Sequence, residues 1–291
     1  MNSWSEVLQV DTPHQADSLS GNEVRTILKR VLSGLVGAPV ILLIAGFGQE
    51  IGLLILILVG TGLGLLEFYR LAYPQSRLWE KTAGIALGLS FPIVAFFCQG
   101  ESSLALMVVV VFVLFLLFVA KPGDFDGLPS RMAILLFGTV YIGFLLSHAV
   151  LLRRQPMGTQ WVFFLLLTVW AGDTCAYFVG TLIGKHKLYP RISPKKTVEG
   201  LLGGLAGSII VAFVFRTFFL KDLAWSHVLL IASIILILGQ FGDFGESMIK
   251  RSVNVKDSSR LIPGHGGILD RLDSFLFSTP FLYYYVRMAL Q

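Results

Sequence analysis

Long uninterrupted runs of apolar residues alternate with short polar segments along this chain. A helix needs about 20 mostly apolar residues to cross a bilayer, and the runs predict about nine transmembrane helices. The predicted spans are 31–48, 51–69, 82–98, 103–120, 132–151, 160–183, 199–219, 226–244 and 268–288. Because hydrophobicity is continuous within each run, a membrane β-barrel is excluded. The predicted fold class is therefore an all-α polytopic membrane protein.

Composition supports this fold class and limits the domain organisation. Of the 291 residues, 55% are hydrophobic and 14% are charged, whereas a soluble domain carries about 25% charged residues. The polar gaps are too short for a soluble domain, so we expect a polar segment over 1–30 and a single transmembrane domain over 31–291. Residues 1–30 lack the apolar core and cleavage site of a secretory signal peptide, so the first span is expected to direct insertion.

The loops predict an orientation, because Lys and Arg concentrate on the cytoplasmic side of membrane proteins. Placing the N-terminus in the cytoplasm puts most of the basic residues inside and the C-terminus outside. Arg153 and Arg154 are the exception. This orientation also places the two longest polar segments, residues 170–200 and 242–274, on the cytoplasmic side.

Glycines predict close packing between membrane helices, whereas the two cysteines predict neither a disulfide nor a metal site. The segment EGLLGGLAGS repeats glycine at a spacing of four, which is typical of tightly packed membrane helices. A direct contact between these glycines and a ligand is the alternative. Cys98 and Cys175 both lie in apolar runs and provide neither a disulfide framework nor metal-ligand spacing.

Three aspartates flank the second polar segment. Asp243 lies at the end of one predicted span, and Asp270 and Asp273 open the next. Residues three apart on a helix share a face, so packing of the two spans would gather three carboxylates. Oxygen ligands suit a hard cation such as Mg²⁺. A zinc site is less favoured, because His265 has no second His or Cys at ligand spacing.

Two readings of these acids stay open at this point. Buried salt bridges with Arg271 or Lys250 are the structural alternative to a metal centre. Glu246, three residues after Asp243, is either a further ligand or a supporting group.

Basic and glycine residues between the acids predict an anionic ligand. Lys250, Arg251 and Lys256 fit the phosphates of a metal-bound polyphosphate, and positive-inside decoration is the alternative. The PGHGG segment offers accessible backbone N–H groups, and the N-terminus of the following helix favours an anion. We expect His265 to bind phosphate or organise this loop, with a general acid or base role as the alternative.

The first polar segment carries a second group of candidates. The SPKKT sequence is expected to begin a helix and to present Ser193, Lys195, Lys196 and Thr197 to a nucleotide phosphate. Lysines that reach the interface from a membrane helix are the alternative. Asp173 lies inside an apolar span, where an acid is a functional candidate by default. A structural hydrogen bond is its alternative role.

Residues 247–273, SMIKRSVNVKDSSRLIPGHGGILDRLD, resemble the signature of the phosphatidate cytidylyltransferases, and we call them the signature segment. The sequence matches that signature at each of its fixed positions: Ser247, Lys250, Arg251, Lys256, Asp257, Pro263, His265, Gly266, Gly267, Asp270, Arg271 and Asp273. The segments GDTCAYFVGTLIGKHKL and SPKKTVEG, and EFYRL at the end of the second span, are also similar to that family.

The resemblance implies a reaction and its site. CTP and phosphatidate would give CDP-diacylglycerol and pyrophosphate at the cytoplasmic face of the inner (plasma) membrane, with Mg²⁺ required and a second cation left open. Asp243, Asp270 and Asp273 would hold the metal. Catalytic roles would fall to those acids with Lys250, Arg251 and His265, and substrate-binding roles to Ser193, Lys195, Lys196, Thr197, Lys256, Asp257, Gly266, Gly267, Arg271 and Asp173.

Other expectations concern partners and rival functions. CTP, phosphatidate and membrane lipid are the expected partners; nucleic acid is not expected, and a homodimer is left open. A CTP-dependent polyprenol kinase, which would release CDP, and a transporter of anionic compounds are the alternatives. The transporter is less favoured because no inverted repeat is visible.

Overall fold

The computed structural model describes residues 21–73, 77–98, 101–121, 125–259, 261 and 266–290. Within those residues the chain forms nine helical rods and one short β-hairpin. Seven of the rods are long and apolar enough to cross a bilayer. The predicted all-α polytopic membrane fold is confirmed, while the number of spans and the side of each terminus stay predictions.

The helices follow the predicted spans in order. Their bounds are α1 (Gly21–Phe47), α2 (Gln49–Ala72), α3 (Leu78–Phe97), α4 (Glu101–Ala120), α5 (Leu128–Gly138), α6 (Leu145–Arg153), α7 (Gly158–Leu182), α8 (Val198–Phe219), α9 (Trp225–Ser252) and α10 (Leu269–Ala289). A π-helical turn, Thr139–Phe144, joins α5 and α6 into one rod. The hairpin pairs strand β1 (Lys187–Tyr189) with strand β2 (Ser193–Thr197) in antiparallel fashion.

Two helices extend furthest beyond their predicted spans. Helix α1 begins at Gly21, so part of the predicted polar segment 1–30 is helical, and residues 1–20 lie outside the described residues. Helix α9 continues to Ser252, eight residues beyond the predicted end. Its polar side chains pair one turn apart: Glu246 with Lys250, and the Ser247 hydroxyl with Asp243 at 3.3 Å. Such i,i+4 pairs support a helix, so it continues where the apolar run ends.

The SPKKT segment differs in kind from the prediction. It forms strand β2 and not the start of a helix, and α8 begins only at Val198. The helix cap is Thr197, whose hydroxyl accepts a hydrogen bond from the Gly200 N–H at 3.1 Å. The hydroxyl thereby satisfies one of the N–H groups that a helix start leaves free.

The predicted glycine packing is found between α7 and α8. A Cβ atom at Gly200 would lie 2.8 Å from the Ala176 carbonyl oxygen, and one at Gly204 would lie 2.9 Å from that of Gly172. Only glycine allows the two backbones to approach this closely. The predicted tight connection of the first two spans is also found, because Gly48 alone separates α1 from α2.

The periphery of the bundle is apolar. Helix α4 is the extreme case. Its most apolar 18-residue stretch has a mean hydropathy of 3.2, and 22% of that stretch is buried. Side chains such as Val108 and Phe112 are exposed. The bundle interior contains the large buried residues Tyr69, Phe91, Phe164 and Tyr283. This distribution fits a protein surrounded by lipid. Lipid tails are as apolar as the bundle interior, so apolar side chains are found both inside the bundle and on its surface.

Candidate active site

Close contact between α9 and α10 builds the site. Gly242 packs directly against the backbone of Asp273, where any side chain would collide. Further along the interface, the Ser278 hydroxyl donates to the Ile235 carbonyl at 3.0 Å. Because Asp243 follows Gly242, this contact brings its carboxylate to the same region as Asp273.

A third carboxylate, from α7, joins these two. Asp173 and Asp273 line the same cavity, and Asp273 is 8% exposed. The Ser274 N–H donates to Asp273 Oδ1 at 2.6 Å. We call Asp173, Asp243 and Asp273 the acidic cluster. Like charges in a partly buried place repel one another unless cations compensate them.

Lys196 supplies one compensating charge. Its Nζ atom lies 2.7 Å from Asp243 Oδ2 and donates to Gln240 Oε1 at 2.9 Å. It also lies 4.4 Å from the centre of the Phe244 ring, a favourable cation–π position. Strand β2 directs this lysine to the acidic cluster, whereas Lys195 beside it is exposed. Of the four predicted SPKKT residues, Lys196 contacts the acids and Thr197 caps α8.

Asp270 belongs to a different group of side chains. It forms an ion pair with Lys250, which also pairs with the fully buried Glu246. Its Oδ2 atom accepts hydrogen bonds from the N–H groups of Ser258 at 3.0 Å and Gly267 at 2.8 Å. Although Asp270 and Asp273 are three residues apart, Asp270 lies in the first helical turn and turns back to accept from Gly267.

The predicted convergence of Asp243, Asp270 and Asp273 on one point is therefore not what the structure shows. Among the described residues there is no group of three or more His, Cys, Asp or Glu side chains close enough to hold a metal ion. Asp243 and Asp273 belong to the acidic cluster, and the Lys250 pair holds Asp270. The alternative of a salt bridge thus applies to Asp270, while metal binding by any of the three stays a prediction.

Glu67 on α2 was not among the predicted site residues. It is 2% exposed and accepts hydrogen bonds from the Ser258 hydroxyl at 2.9 Å, the Ser259 hydroxyl at 2.6 Å, and the N–H groups of Ile268 at 3.0 Å and Leu269 at 2.8 Å. An acid inside an apolar run was the available signal, and it is the same signal that singled out Asp173.

The start of α10 therefore already has anionic partners. Its free N–H groups, which were predicted to bind a phosphate, donate to Glu67 and Asp270. Gly266 has a φ of +80°, and a Cβ atom there would lie 2.8 Å from Asp270 Oδ2. A Cβ atom on Gly267 would collide with Glu67 and Ser258. These glycines allow protein carboxylates to approach, and their predicted contact with substrate phosphate stays untested.

The remaining predicted residues lie between α9 and α10 or at the ends of these two helices. Arg251 donates to the Val255 carbonyl at 3.1 Å and is exposed, as are Lys256 and Asp257. Arg271 is exposed on the first turn of α10. His265 lies outside the described residues.

A cavity of about 670 Å³ opens beside the acidic cluster. Most of its walls are apolar side chains of α1, α2, α6 and α7. Its polar lining residues are Asp173, Thr174, Asp270, Arg271, Asp273 and Thr279. The cavity thus combines mostly apolar walls with a few charged side chains, among them two of the three clustered acids.

Comparison with known proteins agrees with these features. A model of the cytidylyltransferase family matches residues 28–289. The phosphatidate cytidylyltransferase of Bacillus subtilis (strain 168) is 33% identical over 267 residues, which cover 89% of this chain and 97% of that protein. Those of Staphylococcus saprophyticus and Staphylococcus haemolyticus are 43% identical over 171 residues, covering 59% of this chain and 64% of each relative. The chain therefore belongs to the cytidylyltransferase family.

Proposed function

We propose that this chain is a phosphatidate cytidylyltransferase, which converts CTP and phosphatidate to CDP-diacylglycerol and pyrophosphate. The observation that carries the proposal is the match to the Bacillus subtilis enzyme over 97% of its length. The family match also includes the whole signature segment, because it extends from residue 28 to 289.

The cavity beside the acidic cluster supports a lipid substrate. A diacyl phosphate ester has an apolar body and one anionic group, and the cavity likewise has mostly apolar walls with a few charged side chains. Its apolar walls suit acyl chains, which lower their free energy by leaving water. Arg271 in its lining suits the phosphate, because a guanidinium binds phosphate oxygens through paired hydrogen bonds.

Mg²⁺ is the cation that we propose for the acidic cluster. Carboxylate oxygens are the donors that hard cations prefer, and because no three such side chains among the described residues lie close enough to hold an ion alone, water and substrate phosphate would complete its coordination. Asp243 and Asp273 would hold the ion, and a second cation is left open. Asp270 would join them only by exchanging Lys250 for the ion. When bound, Mg²⁺ would neutralise charge on the phosphates of CTP.

The proposed chemistry is one in-line displacement. A phosphate oxygen of phosphatidate attacks the α-phosphorus of CTP and forms a new P–O bond. The bond between the α-phosphorus and its bridging oxygen breaks, and that oxygen keeps the electron pair as pyrophosphate leaves. The attacking phosphate monoester is already ionised near neutral pH, so no side chain has to remove a proton. Lys196, Lys250 and Arg271 provide positive charge around the reacting phosphates.

The site would face the cytoplasm in the inner (plasma) membrane. Lys196 contacts Asp243, so the hairpin after α7 and the C-terminal part of α9 lie at the same end of the bundle. This agrees with the predicted orientation, in which both polar segments are cytoplasmic and accessible to CTP.

A product assay tests the function directly. Full-length protein in lipid nanodiscs would receive phosphatidate, Mg²⁺ and CTP labelled at the α-phosphate. We expect labelled CDP-diacylglycerol and an equal amount of pyrophosphate, both lost with a metal chelator. Release of CDP with an alcohol substrate would instead identify a lipid kinase, and absence of any nucleotide turnover would contradict an enzyme of either kind.

A further inference from the structure

Glu67 joins two parts of the chain that are far apart in sequence. Its four hydrogen-bond donors lie 191 to 202 positions later, in the signature segment. Two of the donors, Ser258 and Ser259, precede the PGHGG sequence, and the other two, Ile268 and Leu269, follow it. One carboxylate therefore contacts the chain on both sides of that sequence.

This arrangement suits a carboxylate better than any other side chain. A carboxylate has two oxygens that accept and no proton to donate, and all four groups facing Glu67 are donors. The N–H groups of Ile268 and Leu269 are at the start of α10, where the helix dipole favours a negative charge. Among the described residues, no Lys or Arg forms an ion pair with Glu67.

Ser258 extends this contact to the candidate site. Its hydroxyl lies 2.9 Å from Glu67 Oε2 and 2.8 Å from Asp270 Oδ2, so the two carboxylates share its single proton in a three-centre hydrogen bond. Asp270 in turn pairs with Lys250. Glu67 is thus connected to the first acid of α10 through one side chain.

Helix α2 is itself firmly held near Glu67. The Tyr69 hydroxyl donates to the Leu135 carbonyl at 2.8 Å and lies 3.0 Å from the Thr139 hydroxyl. Tyr73 contacts the Arg131 carbonyl in the same way. Because α2 is fixed against α5 and the π-helical turn, Glu67 offers a rigid reference point for the loop.

We propose that Glu67 is a positioning residue for the cytidylyl transfer reaction: it fixes Ser258, Ser259 and the start of α10, and so holds Asp270 and Asp273 in place. It acts through Ser258 and the α10 amides and has no contact with substrate. The inference rests on the proposed function only in naming the reaction that the loop serves.

The test compares Glu67→Gln and Glu67→Asp with Glu50→Gln, a matched acid-to-amide change on the exposed end of the same helix. Glutamine keeps the size of Glu67 but points an amide donor at groups that are all donors. Aspartate keeps the carboxylate. We expect at least a 10-fold lower kcat for Glu67→Gln, a smaller loss for Glu67→Asp, and no change for Glu50→Gln.

Amide hydrogen exchange gives a second readout that needs no substrate. We expect the N–H groups of Ile268 and Leu269 to exchange at least 10-fold faster in Glu67→Gln than in wild type, while exchange in α7 and α8 stays unchanged. This result would stand even if the protein proved to catalyse another reaction. The proposal would be overturned if Glu67→Gln had the kcat and the amide exchange rates of the wild type. It would also be overturned if Glu67→Gln and Glu67→Asp lost kcat equally and neither showed faster exchange. If Glu67→Gln does not fold, Ser259→Ala, which removes one donor, provides the same comparison.

Discussion

The ammonium group of Lys196 lies 2.7 Å from Oδ2 of Asp243, joining the hairpin after α7 to the C-terminal part of α9. Lys196 also balances part of the charge of the acidic cluster. A partly buried ion pair contributes little net stability, because each charge loses water to form it. Its value here is to keep a positive charge beside the acids, where a triphosphate would need it.

We expect Lys196→Met to lower cytidylyl transfer by roughly 100-fold, since it removes a preorganised positive charge from the site. The rate of CDP-diacylglycerol formation at several CTP concentrations measures the effect. Lys187→Met is the matched control, because Lys187 is exposed on the partner strand of the same hairpin. Equal activities of the two variants would contradict a role for Lys196 in the reaction.

We expect Asp273→Asn to reduce the rate by about 100-fold or more, because loss of the carboxylate proposed to bind Mg²⁺ would remove several kcal/mol of transition-state stabilisation. The variant should also require more Mg²⁺ for half-maximal rate. Asp222→Asn, an exposed acid on the α8–α9 connection, controls for the change in charge. An unchanged Mg²⁺ dependence would argue against metal binding by Asp273.

Tight packing of α7 on α8 predicts that Gly204→Ala is destabilising. The added methyl group would lie 2.9 Å from the Gly172 carbonyl oxygen, which is backbone and cannot turn away. Overpacking of this kind costs about 1–3 kcal/mol. Thermal unfolding in detergent should show a lower midpoint for Gly204→Ala than for Gly62→Ala, whose methyl group meets ordinary contact at 3.7 Å. A midpoint equal to that of the control would contradict the packing.

The predicted orientation can be tested at the two ends of α9. The helix has 28 residues and is about 42 Å long at 1.5 Å per residue, which is long enough for its ends to reach opposite sides of the bilayer. In a background with Cys98 and Cys175 replaced by serine, we expect an impermeant thiol reagent outside intact cells to label Asp222→Cys and not Ser252→Cys. The opposite labelling pattern would show that the predicted orientation is wrong.

Hydropathy predicts the helices of this protein well because lipid leaves the backbone few choices. A spanning segment has to satisfy its N–H and C=O groups internally, so each apolar run becomes a helix. The end of α9 departs from the prediction because helix formation does not require apolar residues. Glu246 and Lys250 pair along the helix, and the chain stays helical past the apolar run.

The candidate site was less predictable from spacing. The i,i+3 relation places Asp270 and Asp273 on the same side of α10, but it says nothing of which donors each carboxylate meets. Asp270 is surrounded by Lys250, Ser258 and Gly267, whereas Asp273 faces the other acids. The SPKKT strand was also missed, since its lysines resemble an ordinary interfacial helix start.

The sequence by itself determined the membrane class, the order of the helices, the resemblance to a family and the residues of the signature segment. These properties depend on local composition, apolar run length and short motifs. Only the tertiary structure decided that Asp173 joins Asp243 and Asp273, that Lys196 reaches them from a strand, and that Glu67 holds the start of α10. Such contacts join groups tens to hundreds of positions apart, and they follow from how the helices pack, which no local pattern encodes.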